Sequence, residues 1–358
     1  MPTFTAERLG GFVETVLTGA GLTSDEARHC ADAAVFANLR GTETHGIVYM
    51  IPRMLRSIQS GQTIPGAQHE VVRESGGSAL LRSNGQAGPM FGYLGMQLAV
   101  QKARQNGVGA VVTINGGPLG MLGYFADLAA RQGLFGMVMA NTSPSVAPHG
   151  GSTAVFGTNP FAYAAPAATG PTIVLDIATS MAASGKLASA RRRGEPLPEG
   201  WIVDTAGEWI TDPMRSGDGA MLAFGGHKGS GIALLVHVLT GMLGGTTVGG
   251  EVTHENPDPN VRGQSCFYLA IDPEHFASRE TFERLADRQI DYIHAAQPLP
   301  GFEEVLTPGA RGARTAEARQ RDGIPVPEAD WSAVLAAITQ AGLPAEEIAN
   351  DYALRVGA

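Results

Sequence analysis

The chain is poor in cysteine, basic charge, aromatic residues and long apolar runs, and each scarcity removes a class of function. Two cysteines, Cys30 and Cys266, occur in 358 residues. They lie far apart and form no Cys-x-x-Cys pair, so neither a disulfide framework nor a thiolate zinc site is expected, and a reducing cytoplasm is the expected compartment. Lys and Arg total 25 against 34 Asp and Glu, for a net charge of -9, and the one concentrated basic run is Arg191-Arg192-Arg193. An acidic protein with three local arginines is poorly suited to a polyphosphate backbone, so nucleic acid is not an expected partner. The N-terminal residues contain acidic charge and no apolar core, and no later segment reaches about 18 uninterrupted apolar residues, so neither secretion nor a membrane span is expected. Aromatic residues make up 6%, within a globular composition of 44% apolar and 16% charged residues. The length favours two or three lobes over one.

Several motifs are missing as well. No Gly-x-Gly-x-x-Gly stands between a strand and a helix with an acidic residue about 20 positions on, which argues against a Rossmann unit. Gly226-His227-Lys228-Gly229-Ser230-Gly231 has neither that spacing nor the Ser or Thr that follows the lysine of a phosphate loop, so a nucleoside triphosphatase is disfavoured. A hydrolase would need a Gly-x-Ser-x-Gly elbow or a recognisable metal-ligand spacing; neither is found, and no bound metal is expected. No internal repeat is visible.

Glycine is in excess, at 48 residues against an average usage of about 7%, clustered at 116–117, 150–151, 225–226, 229 and 231. Such clusters serve tight turns or let backbone approach a ligand. Residues 5–60 read as helices, with Thr23-Ser24-Asp25-Glu26 as a capping box. From Ser78 helix and strand mix: a short strand at 79–81, a helix over roughly 88–105, and buried strands at 109–114, 134–140, 172–177 and 266–271. A long apolar helix runs from Gly231 through Leu243, and Trp331 to Val356 returns to amphipathic helix. Residues 295–328, rich in Pro, Gly and Arg, read as a loop or linker back to the N-terminal lobe. The domains expected are a helical lobe of 1–75, completed by 310–358, and a mixed helix/sheet region of 76–309.

The chemistry-bearing residues sit at the joints of this pattern. His45, beside Gly46 where a ligand could approach the ring, is of a residue type that titrates near neutrality and could donate or accept a proton. Asp176, at the end of a strand, could orient that imidazole or simply cap a turn. The glycine-rich start of the 231–243 helix, with His227 and Lys228, could hold a cofactor phosphate on backbone amides or be a turn with a solvated lysine.

Arg40-Gly41-Thr42-Glu43-Thr44-His45-Gly46, followed by Ile51-Pro52-Arg53, resembles the Arg-Gly-x-x-Ser/Thr-His-Gly element of the type-2 malate and L-lactate dehydrogenases. That family also includes ureidoglycolate, sulfolactate and diketogulonate dehydrogenases and a cyclic-imine carboxylate reductase. Gly157-Thr158-Asn159-Pro160, Leu175-Asp176-Ile177-Ala178-Thr179-Ser180, Gly185-Lys186, Pro198-Glu199-Gly200-Trp201 and Gly225-Gly226-His227-Lys228-Gly229 recur in the family's order. The resemblance covers about residues 30–325. It implies an α/β mixed fold with a non-Rossmann cofactor domain on a mixed, largely antiparallel sheet, a helical lobe built from both termini, and a homodimer. By the same resemblance His45 is the acid and base, and Thr44 is a substrate contact. Val174, Leu175, Asp176, Ile177, Ala178, Thr179, Ser180, His227, Lys228 and the Pro308-Gly309 loop hold the nicotinamide cofactor. Asn141 is expected to line the same cleft toward the substrate, and Ser143, Thr158 and Asn159 toward the cofactor.

Two departures stand out. Where most members carry a carboxylate-gripping arginine four positions after the histidine, this chain has Tyr49, with Arg53 one turn on as a substitute anchor or a surface residue. Where most read Asn-Ser-x-His-Phe-Gly, this chain reads Asn115-Gly116-Gly117-Pro118-Leu119-Gly120, so a second active-site histidine has become Pro118. A bidentate guanidinium–carboxylate pair is strong, and its loss should cost affinity for simple 2-oxo acids. The expected activity is NAD(P)H-dependent hydride transfer to or from a small 2-oxo or 2-hydroxy compound. The alternatives are reduction of a cyclic or substituted imine and a cofactor-binding homologue without turnover. NADPH is favoured over NADH, because Ala310-Arg311 replaces an acidic residue that many relatives place after Pro-Gly, and because Arg191-Arg192-Arg193 and Arg314 offer further cations for a 2′-phosphate. These arginines are otherwise surface charges.

Overall fold

The computed structural model describes residues 1–253 and 264–352. The chain runs β1 (Thr3–Phe4), α1 (Ala6–Gly19), α2 (Ser24–Leu39), α3 (Ile47–Gln59), β2 (Glu70–Glu74), β3 (Ser78–Arg82), α4 (Gly88–Asn106), β4 (Val108–Gly116), α5 (Leu122–Ala130), β5 (Phe135–Ala140), β6 (Val146–Ala147), β7 (Phe161–Ala165) and β8 (Ile173–Ile177). It continues through α6 (Ser184–Arg193), β9 (Ile202–Val203), β10 (Ala220–Leu222), α7 (His227–His237), β11 (Gln264–Ile271), α8 (Arg279–His294), α9 (Ala310–Asp322), β12 (Ile324–Pro325), α10 (Glu328–Gln340) and α11 (Ala345–Tyr352).

The central element is a seven-stranded sheet in the order β2-β3-β4-β11-β5-β7-β8. The β3–β4 pair is parallel and the other five are antiparallel. That is the mixed, largely antiparallel sheet the family resemblance implied, and it is not a Rossmann sheet. Side chains alternate across it at the strand period of two. Val111, Val138 and Tyr268 face α4 and α5 within the main core. Val112, Ile114, Met139 and Phe267 face the other way and are covered by Val236 and Leu239. A second, three-stranded sheet, β6-β10-β9, has its own small core around Phe156, Ile202, Ile210 and Met221.

The chain ends meet. Strand β1 pairs antiparallel with β12, Phe4 opposite Ile324, and the rings of Phe4 and Phe12 each lie 5.0 Å from that of Trp331 on α10. Thr23 and Glu26 form the expected capping box at the start of α2. The carboxylate of Glu26 also accepts the backbone N–H of Gly66, at 3.1 Å, which ties the end of the helical segment to its second helix.

Three assignments made from sequence differ. The 295–328 stretch is not a linker throughout, because α9 occupies Ala310–Asp322 within it. Its apolar residues are all alanines, so no large-residue periodicity announces it. The amphipathic stretch from Trp331 is two helices, α10 and α11, broken at Gly342-Leu343-Pro344, and its last residues, 353–356, lie outside the described ones. The apolar helix near 231–243 begins at His227, and after His237 it continues as a wider π-turn over Val238–Met242.

Candidate active site

His45 is held by the way α2 ends and α3 begins. Between them lies a single 3-10 turn, Glu43–His45. The buried side chain of Asn38, in the last turn of α2, accepts the backbone N–H of Ile47 at 2.9 Å and so satisfies one of the first donors of α3. It also explains Gly46. A Cβ at that position would overlap the Asn38 amide, so the glycine reflects packing against Asn38 rather than the open approach to the histidine ring expected from the sequence. From the far end of the chain, Arg319 on α9 reaches the Asn38 carbonyl and the Glu43 carboxylate, the latter at 2.7 Å.

The His45 ring has Thr44 Oγ1 3.2 Å from its Nδ1, which leaves Nε2 as the atom able to exchange a proton with a substrate. Burial holds its pKa below the ordinary 6.5, since desolvation penalises the charged form. The Tyr49 ring lies 5.5 Å from the imidazole, and the Arg53 guanidinium lies 5.5 Å from the Tyr49 ring. Arg53 Nε is buried without a hydrogen-bond partner. The loop that carries Pro118 passes beside this group, and a Cβ on Gly120 would lie 3.9 Å from the His45 carbonyl oxygen.

Three residues further along that loop, the backbone N–H of Gly123 donates to Asp176 Oδ2 at 2.7 Å. The carboxylate of Asp176 therefore caps the N-terminus of α5. Burial pushes its pKa up to about 6, against the lowering effect of the Gly123 and Leu122 amides. No hydrogen bond joins Asp176 to His45 among the described residues: the imidazole partner is Thr44, and Asp176 reaches the histidine's neighbourhood only through the 120–123 loop.

The remaining expected residues fall into two groups. Val174, Leu175, Asp176 and Ile177 lie on β8, the edge of the large sheet, with Ala178 directly after it. The Val174 N–H points at the Pro308 carbonyl, 3.4 Å away, and Gly309, at φ +82°, has its own carbonyl bound by Arg40 at 3.2 Å. Arg311 is exposed in the first turn of α9. The other group is polar scaffold. Asn159 is fully buried at a positive φ of 35°; it accepts the Thr142 N–H at 3.2 Å and donates to the Ala233 carbonyl at 3.0 Å. The Thr158 carbonyl accepts both the hydroxyl and the N–H of Thr179, and the Ser180 hydroxyl donates to the Ala182 carbonyl. The side chains of Asn159, Thr179 and Ser180, expected at the cofactor, are thus engaged with the protein's own backbone, as short polar side chains in turns commonly are. Ser143 is half-buried just beyond β5, and His227 and Lys228 are exposed at the start of α7.

Asn141 is different. Its Oδ1 accepts the Ser265 N–H at 2.7 Å, but its Nδ2 is buried without a partner among the described residues, as are the neighbouring Ser265 Oγ and Gln264 Oε1. The arginine run proves engaged: Arg191 bonds Ser216, Arg192 approaches Asp330 at 3.9 Å and Arg193 pairs with Glu195. Arg314 pairs with Glu304. Asn38, Arg319 and Gly185 had no assigned role. A Cβ on Gly185 would lie 2.8 Å from that of Thr44, so the start of α6 rests on the turn that carries His45. The sequence signal for such a contact was only the recurring Gly185-Lys186 pair.

The family model for malate/L-lactate dehydrogenase matches residues 4–335. Malate dehydrogenase of Pyrococcus abyssi is 38% identical over 330 residues, which cover 89% of this chain and 90% of that protein. Among solved structures, sulfolactate dehydrogenase from Methanocaldococcus jannaschii superposes with a TM-score of 0.86 at 33% identity, covering 96% of this chain and 99% of that one. Delta1-piperideine-2-carboxylate reductase from Pseudomonas syringae pvar. tomato superposes with a TM-score of 0.82 at 29% identity, covering 94% and 100%.

Proposed function

This chain belongs to the malate/L-lactate dehydrogenase family and is an oxidoreductase, and we propose that it transfers hydride between NADPH and a small 2-oxo or 2-hydroxy compound, with His45 giving and taking the proton. The observation that carries this reading is the environment of His45: a histidine with one ring nitrogen committed to Thr44, on a turn fixed by Asn38 and Arg319.

The family uses a nicotinamide cofactor, and the residues present fit one. Asn141 Nδ2 is a buried donor, and Gln264 Oε1 and Ser265 Oγ can accept, all without partners; a carboxamide offers the complementary acceptor and donors. When bound, the cofactor supplies or removes the hydride at the substrate carbon. The rest belongs to the protein. As negative charge grows on the substrate oxygen, His45 releases the proton from Nε2 to it, while Thr44 accepts the Nδ1 hydrogen bond and holds the ring. In the reverse direction the neutral imidazole takes the proton from the hydroxyl. Arg53, with Nε unpartnered, is the residue proposed to meet the substrate carboxylate in place of the arginine that Tyr49 replaces. NADPH is preferred to NADH through Arg311, whose guanidinium has no ion-pair partner among the described residues. The working unit is a homodimer.

A second reading, reduction of a C=N bond, is favoured by Tyr49 and Pro118 in place of the usual arginine and histidine, and by the similarity to a piperideine carboxylate reductase. The same site serves it, with the proton going to nitrogen.

The test is the rate of NADPH or NADH oxidation with a panel of 2-oxo acids, ketones and cyclic imines, for the wild type and for His45→Ala. The variant is expected to lose roughly a hundredfold or more in kcat with cofactor Kd nearly unchanged. In the wild type, oxidation of the hydroxy compound should rise with pH through the lowered His45 pKa and level off by neutrality, while reduction, which needs the protonated ring, should fall over the same span. Full activity in the variant removes His45 from the chemistry, and cofactor binding with no turnover on any compound leaves a binding protein.

A further inference from the structure

A cavity of about 650 Å³ lies over the three-stranded sheet. Among the residues that line it are Trp209, Val203, Met181, Leu222, His149 and Gly225. The lining contains no Asp, Glu, Lys or Arg, and His149 is its only titratable side chain. A lining without charged side chains is well suited to an uncharged planar group. Trp209, 48% exposed, offers a ring face to stack on. It is placed by a tight hairpin in which Asp204 Oδ1 accepts the N–H groups of Ala206 and Glu208 at 2.9 and 3.0 Å.

Its size sets it apart from the expected small acid. A volume of 650 Å³ is that of about twenty waters at roughly 30 Å³ each, within the range of pockets that enclose drug-sized molecules. Its position connects it to the catalytic turn. Met181, in its wall, is fixed to β10 by its N–H to the Leu222 carbonyl at 2.8 Å. Four residues later Gly185 packs against Thr44. Four residues span at most about 14 Å even when fully extended, and here the chain turns into α6.

We propose that this cavity receives an aromatic substituent of the substrate, so that the enzyme acts on 2-oxo or 2-hydroxy acids bearing a neutral planar ring in preference to unsubstituted ones. This rests on the hydride-transfer reading and names its substrate class. The reaction balance is unchanged: hydride adds to the keto carbon, the carbonyl π pair moves to oxygen, and His45 protonates that oxygen, with the ring a spectator.

The probes are 3-phenyllactate and lactate, titrated calorimetrically in the presence of oxidised cofactor, and phenylpyruvate and pyruvate in initial-rate assays. Wild type is expected to bind phenyllactate more tightly than lactate. Trp209→Ala should weaken phenyllactate about tenfold, as expected for lost stacking and ring burial, and leave lactate and pyruvate within twofold. Ala206→Trp, which fills the cavity from an exposed position, should do the same without removing Trp209. Equal affinity of wild type for the two acids, or equal losses for both in the variants, overturns the proposal. So does a rise in cofactor Kd in Trp209→Ala, which would assign the cavity to the adenine ring. Ring-dependent binding with no turnover of any oxo acid would sink the hydride-transfer reading while keeping the cavity's preference; pyruvate turnover without ring preference would do the reverse.

Discussion

Arg311 is the residue on which the choice of nucleotide is expected to turn. It sits two positions after Gly309, in the first turn of α9, and the loop before it touches β8 through Pro308 and Val174. Arg191, Arg192, Arg193 and Arg314 carry the same charge but are each engaged by a protein group. A charge-assisted hydrogen bond contributes about 1.5–3 kcal/mol, and 1.4 kcal/mol is a tenfold change. Arg311→Ala is therefore expected to lower kcat/KM for NADPH by at least about tenfold and to leave that for NADH within twofold. A wild type that prefers NADH, or a preference for NADPH that survives the substitution, would show that Arg311 does not meet the 2′-phosphate. At this scale the sequence was informative where the candidate residues are contiguous: Thr44 and His45 stand together in one motif. It was silent on Asn38 and Arg319, and marked Gly185 only through the recurring Gly185-Lys186 pair, because each acts on the same turn from another helix, and one chain's spacing carries no trace of that meeting. It misattributed Gly46 for the same reason, since the side chain that excludes a Cβ there belongs to α2.

Between elements, the notable connection is from α9 to the turn that carries His45. Arg319 binds the Asn38 carbonyl and Glu43, with the two charged side chains 18% and 34% exposed. In the other direction Arg40, at the end of α2, binds the Gly309 carbonyl just ahead of α9. The Arg40 guanidinium also lies 5.2 Å from the Phe36 ring, and its burial lowers its pKa. The helix after the 308–309 loop and the segment that carries His45 are thus held by reciprocal arginines. If Arg319–Glu43 positions the turn, Arg319→Met and Glu43→Gln should each lower thermal stability and kcat. Their double-mutant cycle should show a coupling of about 1 kcal/mol, within the range for groups in direct contact; strictly additive losses would mean that the pair does not act as a unit. The elements themselves were legible to different degrees. Strands β4, β5, β8 and β11 are runs of apolar residues bounded by glycine or turn residues, and α2 has its capping box, so each could be read locally. Helix α9 could not, because polar contacts rather than an apolar stripe attach it. The pairing order of the sheet was not legible, and its mixed, largely antiparallel character came only from the family resemblance, since a buried strand looks the same whichever neighbour it takes.

At the scale of the whole molecule, α7 carries an exposed apolar stripe. Leu234, Leu235, Val238, Met242 and Leu243 are between 41% and 59% exposed, and they recur at helical spacing along α7 and the π-turn that continues it, on the side away from Val236 and the sheet. A contiguous apolar stripe is uncommon on the free surface of a soluble monomer. Complete burial of a Leu or Met contributes about 1.5–3 kcal/mol, so half-exposed side chains of this kind can supply a substantial part of a dimer contact when two copies of the stripe meet across a twofold axis. The same helix bears on the site: its Ala233 carbonyl holds Asn159, and a Cβ on Gly241 would lie 3.4 Å from the unpartnered Asn141 Nδ2. A partner pressed on α7 would therefore steady the wall that Asn141 belongs to. Leu235→Glu combined with Val238→Glu places two charges in the stripe without touching the core, and is expected to change the mass measured by light scattering from two chains to one. Raised cofactor Kd in the monomeric variant would follow from the loosened wall. A wild type that is monomeric at micromolar concentration, or a variant that remains dimeric, would assign the stripe to something other than self-association.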